Sequence, residues 1–253
     1  MRIFTNLHKL HKKVLTVAAV SALLLFSGAK VMATSSGTDA RWRDFTPTWQ
    51  EVNRNIVLNP ANPAPPEVVS QLVSLEVSYR DFNNWPHKDI IEVNRALKDD
   101  VITFFKYAYY LNFPINEVGV SSDPRFKWDD NKLMAANVTS GFNYRTIAGT
   151  DRPSQHGLGR AFDVNPRQNP YIVLDDQGNP VVAPHGATWL SGTPGTLHRD
   201  HPLIQLMQSR GWTWGGYWTL QDTDGAVIDY QHLQKRAPAT ASTQDAALKE
   251  LKQ

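Results

Sequence analysis

The stretch Ser154-Gln155-His156-Gly157-Leu158-Gly159-Arg160-Ala161-Phe162-Asp163-Val164-Asn165-Pro166, SQHGLGRAFDVNP, sets a histidine and an aspartate seven positions apart with two glycines between them. Glycines at 157 and 159 let the chain turn sharply, and AFDV resumes with strand-forming residues. The two polar side chains can therefore converge from a loop and an adjoining strand. A hydrogen-bonded histidine–aspartate pair satisfies this spacing, and so does a cation site. Zinc takes imidazole nitrogen and carboxylate oxygen, and a catalytic zinc usually has three protein ligands and one position for water. The cation reading thus calls for a third ligand.

Beyond residue 33 the histidines are His87, His156, His185, His198, His201 and His232. His232 stands in VIDYQHLQ, three residues after Asp229. That local pair has the form of a metal ligand beside a carboxylate able to take a proton from metal-bound water. Positions three apart in a straight strand face opposite sides, so a bend is expected between them. His198 and His201, in LHRDH, offer a competing pair without a matching third ligand. His185, in APHGATW, reads as structural or cleft-lining.

The first 33 residues read as an export signal, with Arg2, Lys9, Lys12 and Lys13 before an apolar run from Val14 to about Ala29, and small residues at Ala29 and Ala33. The run is short of the roughly 20 residues that span a bilayer, so no stable membrane anchor is expected after cleavage. The signal holds five of the 26 basic residues (Arg2, Lys9, Lys12, Lys13, Lys30) and no acid, leaving 21 basic against 24 acidic residues, a net of −3. The formal charge of +2 is a property of the signal, and no nucleic-acid partner follows from it. With no cysteine in the chain, disulfide staples and thiolate metal sites are excluded. The protein is expected to be periplasmic or secreted.

Residues 34–67 are polar and then proline-rich, ending in NPANPAPPE, and read as a linker or wrapping arm. Residues 236–253 read as a flexible tail with at most a short terminal helix. Between them, 68–235 is expected to be one domain. From Lys88 to Asn112 the apolar residues Ile91, Leu97, Val101, Phe104, Ala108 and Leu111 fit one helical face, stopped by Pro114. A second helix is expected from His201 to Arg210, capped by Asp200 and ended by Gly211, with Leu203, Leu206 and Met207 on its inner face. YIVLDDQGNPVVAP predicts a hairpin. The aromatics of GWTWGGYW fit either a core or a substrate groove. Helices and strands are segregated, which favours an α+β fold over a doubly wound sheet.

Four motifs in order, TSGFNYR (139–145), SQHGLGRAFDVNPRQNPY (154–171), GWTWGGYW (211–218) and DYQH (229–232), resemble a family of bacterial cell-wall zinc peptidases. That family includes D-alanyl-D-alanine carboxypeptidases and L-alanyl-D-glutamate endopeptidases, and the resemblance extends from about Val68 to Gln234. It implies one zinc ion held by His156, Asp163 and His232, Asp229 as general base, and Arg145 binding a substrate carboxylate or the developing oxyanion. It implies a peptidoglycan peptide as substrate, and the fold shared with hedgehog signalling domains: a small antiparallel sheet with flanking helices. SGFNYR and NPRQNPY look closer to the endopeptidase branch. Leu233 and Gln234 stand where many relatives carry an aromatic and a glutamate, which bears on how His232 is oriented. Two alternatives are a non-catalytic zinc-containing protein that binds wall peptide, and a glycan hydrolase using Asp163 with Asp229 as paired carboxylates.

Overall fold

The computed structural model describes residues 44–147, 152–218 and 226–238; the expected signal and most of the expected tail lie outside them. Strands β1 (Trp49–Val52), β2 (Leu72–Arg80) and β3 (Pro86–Asn94) form an antiparallel sheet in that order, with the short helix α1 (Pro66–Val69) between the first two. β1 comes from the stretch 34–67. It joins the sheet because its Trp49 donates its indole N–H to the Ser78 carbonyl at 2.9 Å and packs edge-on against Tyr109.

The sheet's inner face, made of Leu75, Val77, Tyr79, Ile91 and Val93, is covered by α2 (Lys98–Tyr110) through Val101, Phe104, Phe105 and Ala108. The single helix expected over 88–112 is thus two elements. Its first part, KDIIEVN, is strand because its β-branched residues alternate between faces and pair along the whole of β2. A short 3-10 turn, Arg95–Leu97, separates it from the helix, with the Asn94 carboxamide accepting from the Ala96 amide. Asp99 and Asp100 in the first turn of α2 suit the positive end of its dipole.

The remaining elements are β4 (Glu117–Gly119), α3 (Asp130–Ala135), β5 (Val138–Ser140), β6 (Ala161–Asp163), β7 (Tyr171–Leu174), β8 (Pro180–Ala183), α4 (Pro202–Ser209), β9 (Thr213–Trp214), β10 (Ala226–Asp229) and β11 (His232–Gln234). A five-stranded sheet runs β4-β5-β6-β11-β9, antiparallel except for its β4–β5 edge, and a small antiparallel sheet runs β10-β7-β8. The fold is α+β, with small, mainly antiparallel sheets and few helices. YIVL and PVVA form the expected hairpin, with Gly178 at positive φ in the turn. α4 starts one residue later than expected and is capped by His201, not Asp200: the His201 Nδ1 accepts from the Leu203 amide at 3.2 Å. This role fits an uncharged imidazole, and burial holds His201 down at about 4.

Phe162 stands at the centre of the core, with its ring 5.0 Å from Phe104 and 5.3 Å from Trp212. Asp100 ties the domain's two ends around this core. Its oxygens accept from Arg210 (2.8 Å), the Trp212 indole (2.9 Å) and Lys235 (2.9 Å). Burial alone would raise the Asp100 carboxyl, but these three donors hold it below the usual carboxylate range. Its contribution to stability is therefore present above the unfolded aspartate value of about 4 and is lost as pH falls through the lower folded value. Asp100→Asn is expected to cost on the order of 1–3 kcal/mol in urea denaturation at pH 7, with the gap to the parent closing as pH drops below about 4.

Candidate metal centre and active site

The register of β6 and β11 builds the centre. His232 lies directly opposite Asp163, Leu233 opposite Phe162, and Gln234 opposite Ala161. Alternation then sends Phe162 and Leu233 into the core, where both are buried, and leaves Asp163, His232 and Gln234 together on the other face. His156 arrives from the loop before β6. It sits in a 3-10 turn, His156–Leu158, closed by Gly159 at φ +65°, where an added Cβ would stand 2.7 Å from the Asn94 amide nitrogen. Only glycine fits that backbone angle and that approach to β3. The Ser154 hydroxyl accepts from the His156 amide at 3.3 Å, so it serves the turn.

Three potential ligand atoms meet here. His156 Nε2 and His232 Nδ1 are 3.0 Å apart, and each is 3.2 Å from Asp163 Oδ1. The far side of each ring has an acceptor of its own: His156 Nδ1 faces the Gly141 carbonyl at 2.8 Å, and His232 Nε2 faces the Gln234 side-chain oxygen at 3.1 Å. With each ring's proton on its outer nitrogen, the two inner nitrogens would turn lone pairs towards a carboxylate oxygen. In that form the group would suit a positive charge at its centre. Tetrahedral coordination with bonds of about 2.0–2.1 Å sets ligand atoms about 3.3 Å apart, close to the separations seen. The same demand appears in the titration of the triad. Burial works against a charged His156, yet Asp163 raises its affinity for a proton; burial opposes an ionised Asp163, yet the two imidazoles hold it low. Both histidines are only 5% exposed. Two imidazoles and a carboxylate, with no thiolate in the chain, fit a borderline transition metal such as zinc.

Asp229 ends β10, and a turn at Tyr230–Gln231 carries the chain from one sheet to the next, which is the expected bend. Its Oδ2 is 3.9 Å from His232 Nδ1, and its buried Oδ1 has no hydrogen-bond partner. Burial pushes its carboxyl up to about 7, against the pull of His232 and Arg145. Arg145 is ion-paired with Asp130 at the start of α3, and its charge reaches His156, Tyr171 and Asp229. Trp218 stands 5.0 Å from the His232 ring, and Trp189 lies flat against Tyr230 at 4.5 Å.

The arrangement resembles a hydrolytic metal site: three ligands, a carboxylate next to them, and a cation at the edge. Residues 148–235 match the family model of D-alanyl-D-alanine carboxypeptidase. Over this segment, about a third of the chain, the protein is similar to that peptidase family. The matched segment contains His156, Asp163, Asp229 and His232, and Arg145 lies three residues before it. No curated protein and no solved structure matches the chain.

In this matched segment, His156, Asp163 and His232 are the group of His and acidic residues that could hold a metal among the described residues. His198 and His201 pack edge to face at 5.3 Å, and His201 is engaged as a helix cap. His185 is exposed. Trp212 and Trp214 are core, as one of the two readings of GWTWGGYW expects, while Tyr217 and Trp218 are half-buried. In NPRQNPY the asparagines are structural: Asn165 bonds Pro114, Asn116 and Gly195, and Asn169 bonds Val164, Gly195 and Leu197.

The paired-carboxylate alternative leaves Asp163 without a free role, because both imidazoles engage its Oδ1. Sequence reasoning missed Asp130, the Gly141 carbonyl and Trp189. Only Gln234 had a visible signal, since a residue two positions along a strand shares the histidine's face. Replacing His156, Asp163 or His232 with alanine is expected to weaken divalent-metal affinity by more than about 100-fold, beyond the 10–100-fold typical of outer-shell partners. Chelator competition measures it, with circular dichroism as the check on folding.

Proposed function

We propose that the protein is an exported zinc peptidase that hydrolyses peptide bonds in peptidoglycan stem peptides, as an endopeptidase or a carboxypeptidase. The observation carrying this reading is the convergence of two imidazole nitrogens and a carboxylate oxygen, 3.0–3.2 Å apart, beside a buried carboxylate that keeps one oxygen free. Bound there, the zinc ion would supply a Lewis acid and an acidified water. His156 and His232 would hold it as neutral ligands with Asp163 as the anionic one, for a formal site charge near +1. Asp229 would take the proton at its free Oδ1 and return it to the leaving amine. Arg145, kept in place by Asp130, would bind a substrate carboxylate or the developing oxyanion. Trp218 and the Trp189–Tyr230 stack would stand beside the ion and limit water. The segment before residue 34 supports export, and none of the described helices is long and apolar enough to cross a membrane.

The test is mass spectrometry of purified wall peptides incubated with the zinc-loaded protein, with a chelated control. A new amine terminus at one defined bond, abolished by chelator, is expected; unchanged peptides with zinc bound would favour a non-catalytic binding protein instead. Asp229→Asn should keep its zinc and lose turnover by about 10²–10⁴-fold. Because burial raises the Asp229 carboxyl to about 7, its basic form grows as pH rises through that region, less any downward pull from the bound cation. Activity of the parent should therefore fall on the acid side, and the residual activity of Asp229→Asn should lose that limb.

A further inference from the structure

His232 can offer the metal its Nδ1 only if its proton sits on Nε2, and an imidazole in a metal site has no fixed choice of its own. In this protein the neighbours of the ring differ on its two sides. Nδ1 faces Asp163 at 3.2 Å and His156 at 3.0 Å, where a proton on Nδ1 would be welcomed by the carboxylate. Nε2 faces the Gln234 side-chain oxygen at 3.1 Å. The tautomer is therefore a contest between Asp163 and Gln234, and the outcome decides whether the lone pair is available.

We propose that Gln234 is a positioning residue that holds the His232 proton on Nε2 and so turns the Nδ1 lone pair towards the metal, while adding no charge to the site. This rests on the reading of the triad as a metal centre. Gln234 is well placed for the task. It is buried, its strand β11 lies between β6 and β9, and its backbone is in register with Ala161 on one side and Thr213 on the other. The Thr213 hydroxyl also donates to the Gln234 carbonyl at 3.3 Å. Two positions along one strand, His232 and Gln234 project from the same face, so the amide reaches the ring without leaving the sheet. A carboxylate at 234 would accept the same proton more strongly and would add negative charge beside the ion. An amide accepts the proton without adding that charge.

The experiment has two parts. In the metal-free parent at a pH where both rings are neutral, long-range proton–nitrogen correlation spectra distinguish the two tautomers. The Nε2–H pattern for His232 is expected, and an Nδ1–H pattern overturns the proposal. Zinc affinity is then measured by chelator competition in Gln234→Met and Gln234→Glu. Gln234→Met, similar in shape but without the acceptor, should bind zinc about 10–100-fold more weakly, and Gln234→Glu should bind it at least as tightly as the parent. Parent-like affinity in Gln234→Met, or equal losses in both variants, would show that the side chain only fills space. If Gln234→Met does not fold, the tautomer spectrum and the Gln234→Glu affinity decide the matter. Should the parent bind no metal at all, the reading of the triad fails, whereas the tautomer spectrum still reports on Gln234.

Discussion

Everything at the centre depends on the pairing of β6 with β11 in one register. With His232 opposite Asp163, two candidate ligands stand side by side on the polar face while Phe162 and Leu233 fill the core behind them. A slip of one residue would exchange the faces, setting Phe162 or Leu233 into the site and a ligand into the core. The register is therefore enforced twice: by burial of two large apolar side chains on one face, and by the need to gather polar groups on the other. Neither face could be satisfied in the shifted pairing.

The core keeps that register from the far side. Phe162 is wedged against Phe104, Phe105 and Trp212, so the strand bearing Asp163 is anchored to α2 and to the chain that leads into β9. Asp100 links α2 to Arg210, Trp212 and Lys235, and Lys235 immediately follows β11. The loop that delivers His156 is held by β3, whose Asn94 amide bonds the Gly159 carbonyl at 2.7 Å. Stability and site geometry thus share the same contacts, since the residues that bury apolar area are neighbours of the ligands along the strand.

Electrostatics then divides the work among four acids that composition alone treats as alike. Asp163 is held ionised by two imidazoles, while Asp229, buried with one free oxygen, is held close to neutrality in its affinity for a proton. Asp130 is committed to Arg145, and Asp100 to the far side of the core. A site needs this separation: one carboxylate to hold positive charge and another free to exchange a proton.

The three candidate ligands, the neighbouring acid and the arginine lie in four ordered motifs, and α2, α4 and the β7–β8 hairpin were legible as periodicity, because these features are local in the chain. The strand at 86–94 was misread as the start of a helix, since a short β-branched run can fit either period until its partner strand is known. β1 was hidden because Trp49 finds its contacts on Ser78 and Tyr109, far along the chain. Asp130 and the Gly141 carbonyl carry no motif of their own and matter only through the side chains they touch. The sequence by itself determined which residue types could bind a cation and roughly where they would turn. Tertiary structure decided that they meet, because that depends on strand register and on segments distant in the chain.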